Sequence, residues 1–188
     1  MLLPFLQSKK LNSANNHPIV FAGDVGATKT NLALYKVENE QFRLLHQAKL
    51  VSDDFGSVAM LADHFMKNLP SPDAVCFGVA GPVLNGKAKL SNLSWEVDAH
   101  ELSQHFGVHD IHLINDLEAT AYGLAVLGKE DISIVHEGSA APVGNVAVIA
   151  PGTGLGEAGL YWDGEYYRPF ATEGGHCDFA PRDAFDFE

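Results

Sequence analysis

The chain has 188 residues, 46% of them hydrophobic, and 24 Asp and Glu against 12 Lys and Arg give a formal net charge of −12. That balance excludes the basic footprint of a nucleic-acid binder, and no run approaches the roughly 18 apolar residues of a membrane span. Cys76 and Cys177 are the two cysteines; they form neither a disulfide framework nor a metal-ligand spacing, which places the chain in a reducing, cytoplasmic compartment.

Residues 1–17 are polar apart from Leu2, Leu3, Phe5 and Leu6, lack the apolar run of a secretory leader, and read as a loose tail. Three strands follow, at about 19–23, 31–37 and 42–51, the last two joined by a short polar turn that predicts an antiparallel hairpin. A helix is predicted from Ser57 to Leu69, stopped by Pro70, with Met60, Leu61, His64, Phe65 and Leu69 on one face. Ala74 to Ala80 reads as a buried strand, Val83 to Leu90 as a hairpin around Asn85-Gly86, and Asp98 as the cap of a short helix ending near Gly107. Ile111 to Ile114 is a strand, and Asp116 to Leu127 a helix that starts at its end. The order β-β-β-α-β-α-β-α predicts an α/β layer with helices against a mixed sheet over residues 18–127. Residues 128–144 read as a connection, and strands of a second, similar lobe begin at Asn145 and run on in 128–188.

Five stretches carry candidate chemistry. Gly23-Asp24-Val25-Gly26-Ala27-Thr28 lies between two strands. Such a turn offers backbone N–H groups to a phosphate, hydroxyls to its oxygens and a carboxylate to a metal ion. Gly23 to Thr30 misses the P-loop pattern by one residue, with Thr28 where the second glycine should stand, and leads into a strand rather than a helix; a hairpin with no ligand is the alternative. Shifted by 126 positions without a gap, Val146 to Tyr161 overlays Val20 to Tyr35, and puts Gly152-Thr153-Gly154 on the first turn as a second phosphate-binding hairpin. Glu157 stands where a dinucleotide fingerprint needs its third glycine. Asn115-Asp116 lies where a strand gives way to a helix; a carboxylate there can take a proton from a substrate hydroxyl, or simply cap the helix. Glu173-Gly174-Gly175-His176-Cys177-Asp178 can turn a carboxylate and an imidazole into one cleft, as paired sugar hydroxyls require; a metal site of Glu173, His176 and Asp178, or a surface turn, are the rivals. Asn92 is a smaller sugar-binding candidate, and Trp95 is either a cleft wall or a core residue.

Taken in order, Gly23 to Thr28, Ser91 to Trp95, Leu113 to Asp116, Gly152 to Gly156 and Glu173 to Pro181 resemble the bacterial glucokinase family, in the hexokinase-like branch of the sugar kinase, actin and Hsp70 superfamily. The resemblance implies a ribonuclease-H-like (actin-like ATPase) small domain and phosphorylation of the 6-hydroxyl of glucose by ATP and Mg²⁺. It makes Asp116 the general base. Asn92, Asn115, Glu173 and His176 become sugar ligands, and Asp24 the group near Mg²⁺. Gly23, Val25, Gly26, Ala27 and Thr28 then line the first phosphate site, and Gly152, Thr153 and Gly154 the second. Glucose or a similar hexose and ATP are the implied partners, with room for a homodimer. Two departures stand out: Ala27 replaces the family's usual second glycine, and the family's members are far longer, so the chain reads as an N-terminal part, inactive alone. A non-enzymatic sugar sensor like some ROK repressors is the alternative; the retained Asp116 argues for the enzyme.

Overall fold

The computed structural model describes residues 17–39, 41–90, 93–136, 138, 144–152, 154–178, 180 and 183. The N-terminal tail up to residue 16, Asn92 and Thr153 therefore lie outside the described residues. Two compact units divide between Thr120 and Ala121.

The first unit is built on a five-stranded sheet. Strands β1 (Ile19–Val25), β2 (Lys29–Glu38) and β3 (Gln41–Val51) form an antiparallel meander. Helix α1 (Val58–Met66) then crosses to β4 (Ala74–Val79), which runs parallel to β1. A small antiparallel sheet follows, of β5 (Val83–Leu84), β6 (Lys87–Lys89) and β7 (Glu96–Asp98), then α2 (Ala99–Phe106), β8 (Asp110–Asn115) and α3 (Asp116–Gly123). The order β3-β2-β1-β4-β8, with β8 parallel to β4, is the mixed sheet expected from the element order, in the ribonuclease-H-like arrangement that the resemblance implies.

Alternation along β1 and β4 sends Phe21, Val25, Val75, Phe77 and Val79 to one buried face. Phe21 stacks on Phe65 of α1 at 5.2 Å and meets Phe77 edge-on at 5.1 Å, so α1 covers this face. The α1 stripe is Val58, Leu61, Ala62 and Phe65, the i, i+3, i+4, i+7 pattern of a helix. Met60 and His64, expected on that face, are exposed: at 100° per residue they fall outside the stripe that Val58 and Ala62 define. The helix also stops at Met66, short of Leu69, because Asn68 takes a left-handed φ of 65° and Pro70 bars Leu69 from helical backbone.

Local signals placed the other elements. Ser57 caps α1 by accepting from Met60 N–H, and Asp98 caps α2 by accepting from His100 and Glu101 N–H. Gly107, at φ 66°, ends α2. Asn85 and Gly86 both have positive φ, the turn chemistry of a two-residue hairpin.

The second unit holds an antiparallel meander of β9 (Val146–Pro151), β10 (Leu155–Trp162) and β11 (Tyr167–Thr172). The hairpin expected around Gly152 to Gly154 is present, but the ungapped 126-residue overlay fails across its turn. β1 and β2 close with Val25 opposite Thr30, four residues intervening; β9 and β10 close with Pro151 opposite Leu155, three intervening. One residue fewer inverts the pairing of faces. Phe21 shares buried Leu34's face in the first hairpin, whereas its overlay partner Ala147 is exposed and Val146 lies opposite buried Leu160.

The hydrophobic core cluster lies wholly within the first unit. In the second, Ala121, Ala158, Leu160 and Tyr167 are buried, while Val126, Ile132, Ile134, Val135, Ile149, Leu155, Tyr161 and Phe170 are exposed. Local stability follows buried apolar contact. Hydrogen exchange on the 188-residue polypeptide should therefore find amides of β9–β11 exchanging well before those of β1 and β4. Equal protection in both sheets would contradict this.

Candidate active site

The parallel register sets the candidate site of the first unit. Val25, Val79 and Asn115 are neighbours across β1, β4 and β8, so the three strands end together. On the face opposite Phe21, Asp24 lies beside Gly78, one strand spacing or about 5 Å away. A β-carbon on Gly78 would lie 3.0 Å from the Ala119 Cβ and 3.7 Å from the Asp116 Cα. Gly78 thus lets the first turn of α3 rest directly on β4, and Asp24 and Asp116 flank it. Sequence reading passed over Gly78, although a lone glycine in a strand is a signal of close backbone approach.

Asn115 and Asp116 separate the two readings that the sequence left open. Asn115 is the cap: its Oδ1 accepts from Leu117 N–H at 2.9 Å and Glu118 N–H at 3.2 Å, while its Nδ2 donates to the Gly81 carbonyl at 3.1 Å. Asp116 is the first helical residue, and its Oδ1 accepts from Leu117 N–H at 2.9 Å. Buried Asn115 does the capping, which leaves Asp116 half-exposed on the α3 rim.

Glu118 completes a capping box with Asn115, which the Asn-x-x-Glu spacing encodes. Burial raises its pKa, and the bond from the Asn115 backbone N–H partly offsets that rise. A carboxyl whose folded pKa is raised loses stabilising free energy as pH climbs from the ordinary value of 4.5 through the folded value. Glu118→Gln resembles the protonated acid, so the urea midpoint of the variant should gain on wild type between pH 4 and pH 7. A constant difference across that range would contradict the raised pKa. Beneath α3, burial pushes the Cys76 thiol up to about 11, with the charges of Glu118 and Asp110 adding to the shift; Cys76 is a packing residue rather than a nucleophile.

The Gly26–Lys29 turn closes with Gly26 N–H donating to the Lys29 carbonyl at 3.2 Å. A β-carbon on Gly26 would sit 2.7 Å from that same oxygen, so only glycine fits. Gly23 lies inside β1 rather than in the turn, contrary to the sequence expectation, and serves packing: a side chain there would strike Leu32 and Phe77. Asp24, Thr28 and Lys29 are exposed, Ala27 half-buried. The Asp24 Oδ2 accepts from Asn31 Nδ2 at 3.0 Å, directly across the hairpin. Asn31 went unnoticed in sequence because only the register places it there. Among the described residues no group of three or more His, Cys, Asp or Glu side chains could cage a metal ion. One exposed carboxylate beside a phosphate-sized turn does fit Mg²⁺, which keeps most of its water and binds through one or two carboxylates and substrate phosphates.

In the second unit Glu173 to His176 forms a one-turn 3-10 helix after β11. His176 Nδ1 and Glu173 Oε2 are 3.1 Å apart, both side chains largely exposed. With Nδ1–H donating to the carboxylate, Nε2 is left as an acceptor for a hydroxyl. Gly174 N–H donates to Thr172 Oγ1 at 2.9 Å, and a β-carbon on Gly175 would collide with the Leu155 backbone carbonyl. The two glycines seat the Glu–His turn on β10. Trp95 is buried in the first unit's core, the packing alternative.

The glucokinase family profile matches residues 21–188. The chain belongs to the glucokinase family. The glucokinase of Nostoc punctiforme is 38% identical over 173 residues, covering 90% of this chain and 51% of its own length. A crystal structure of a glucokinase from an Antarctic psychrotroph superposes with a TM-score of 0.76 at 30% identity, over 90% of this chain and 54% of that one. The glucokinase of Balamuthia mandrillaris, solved in complex with glucose, shares the fold with a TM-score of 0.67 at 23% identity, over 92% of this chain and 52% of that one. The chain thus spans about half the length of the curated glucokinases it matches. Among the described residues no helix is long and apolar enough to cross a membrane.

Proposed function

We propose that this chain is the N-terminal part of a cytoplasmic enzyme that phosphorylates the 6-hydroxyl of glucose with ATP. Residues 18–127 act as the small lobe and 128–188 open the large one. The observation that carries the reading is the placement of Asp24 and Asp116 on either side of Gly78, at the common end of β1 and β4. Phosphoryl transfer needs a metal-bound phosphate and a deprotonating carboxylate near one another, and little else from the protein.

Asp116 takes the proton of the sugar hydroxyl as its oxygen attacks the γ-phosphorus; the bond from phosphorus to the β–γ bridging oxygen breaks, and ADP leaves. Its Oδ1 is steadied by Leu117 N–H, which helps fix the carboxylate. Asn115 keeps a second Nδ2 hydrogen for a sugar hydroxyl, joined by Asn92. Glu173 and His176 hold further hydroxyls through their carboxylate and imidazole. Asp24, oriented by Asn31, would hold Mg²⁺ through water, and the ion would supply positive charge to offset that of the phosphates. Ala27 and Thr28 offer backbone and hydroxyl donors to the phosphates, with Gly23, Val25 and Gly26 lining that site, and Gly152, Thr153 and Gly154 make up the second phosphate site.

The test is made on the full-length enzyme: ATP, Mg²⁺ and glucose are supplied, and glucose 6-phosphate and ADP are measured. Equimolar products that depend on glucose support the reading. Glucose binding without turnover would support the sugar-sensor alternative, and glucose-independent ATP hydrolysis would reject a sugar kinase.

A further inference from the structure

Beneath the first phosphate turn lies a pair of buried hydroxyls, from Thr30 and Ser52. Thr30 and Ser52 are fully buried, in a face otherwise lined by Phe21, Val25, Leu32 and Leu34. Ser52 Oγ donates to the Gly26 carbonyl at 2.7 Å. A serine hydroxyl has one hydrogen, so in the 3.0 Å contact between Thr30 Oγ1 and Ser52 Oγ the threonine is the donor. Ser52 also gives its backbone N–H to the Thr28 carbonyl at 3.1 Å. One residue, at the end of β3, thereby grips the turn at two of its carbonyls.

The grip has a directional consequence. In a trans peptide the C=O and the following N–H point opposite ways. With the Gly26 carbonyl drawn to the buried Ser52, the Ala27 N–H is directed the opposite way, away from the Ser52–Thr30 pair. Gly26 itself is held from the other side by its bond to Lys29. The relay Thr30 to Ser52 to Gly26 therefore sets the orientation of the Ala27 amide from within the core.

We propose that Ser52, supported by Thr30, is a positioning residue for the nucleotide phosphates, acting through the Gly26 carbonyl on the Ala27 amide. The inference rests on the kinase reading for its ligand, ATP, but not for its geometry. Removing the Ser52 hydroxyl leaves the Gly26 carbonyl and the Thr30 hydroxyl without partners and frees the peptide to rotate. Removing the Thr30 hydroxyl leaves the Ser52–Gly26 bond in place but loosens the donor, so its effect is smaller.

The experiment compares Ser52→Ala, Thr30→Val and Thr30→Ser in the full-length enzyme, each assayed for KM of ATP and KM of glucose. Ser52→Ala should raise KM for ATP on the order of 10-fold, as expected for a lost, uncompensated buried hydrogen bond, with KM for glucose within about twofold. Thr30→Val should raise KM for ATP less, and Thr30→Ser should restore it. Equal rises in both KM values, or no rise for ATP, would overturn the proposal, because a merely structural pair would not discriminate between substrates. If Ser52→Ala fails to fold, the Thr30→Val and Thr30→Ser comparison decides by the same split. If wild type forms no glucose 6-phosphate, the kinase reading fails separately. Calorimetric titration with ATP then decides the inference: weaker binding by Ser52→Ala sustains it and unchanged binding removes it.

Discussion

Asp116→Asn in the full-length enzyme is expected to lower kcat on the order of 10²–10⁴-fold, the usual worth of a positioned general base, while glucose binding changes little. The amide keeps the shape and can still accept from Leu117 N–H through its carbonyl oxygen, the bond that Asp116 Oδ1 makes now. It cannot take a proton. The helix start should survive, because Asn115 supplies the cap through two bonds of its own. That separation makes the experiment clean: the loss should be chemical, with the unfolding midpoint within a small margin of wild type. Asn115→Ala should behave the opposite way, losing the cap and the tie to Gly81. A kcat for Asp116→Asn within a few-fold of wild type would remove Asp116 as the base.

Gly175→Ala should weaken glucose binding while sparing ATP. The added methyl group would meet the Leu155 carbonyl at a distance no real contact allows, and neither partner is a flexible side-chain tip. The turn must lift off β10, taking Glu173 and His176 with it. Overpacking of this kind costs about 1–3 kcal/mol, which corresponds to a rise in KM for glucose of roughly 5- to 150-fold at 1.4 kcal/mol per decade. Gly174→Ala should be milder, since the atom in its way is the end of the Glu157 side chain, which can swing aside. A KM ratio near one for Gly175→Ala would mean that the Glu–His turn does not bind the sugar.

The fold was legible in this sequence to the extent that its signals were local. Caps at Ser57 and Asp98, the Asn85-Gly86 turn and the left-handed Gly107 each announce themselves within four residues. The short β7 was missed because three residues cannot display an alternation. The α1 stripe is not legible from residue type alone: Met60 is the larger apolar side chain, yet the 100° step puts Val58 and Ala62 on the buried face and Met60 outside it. The candidate site divides the same way. Asp24 and Asp116 each sit in a recognisable stretch, yet 92 positions part them and only the β1–β4 register makes Gly78 their common neighbour. Asn31 and Ser52 carry no motif; they matter through the strand opposite and the strand beyond, which no window along the chain contains.

The missing residue in the Gly152–Gly154 turn constrains what exchange between the two hairpins could achieve. Transplanting the four-residue Gly26–Lys29 turn into the second hairpin would shift one arm by a single step, and a β-strand has a side-chain period of two. Leu160, now fully buried, would then have to face outward, or every pair from Val146 to Pro151 would have to be remade. If the two hairpins share an ancestor, loss or gain of that residue required recoding a whole strand's inward and outward positions. Turn length thus acts as a lock on lineage: each loop can vary in composition, but its length can change only in steps of two without turning its strand inside out.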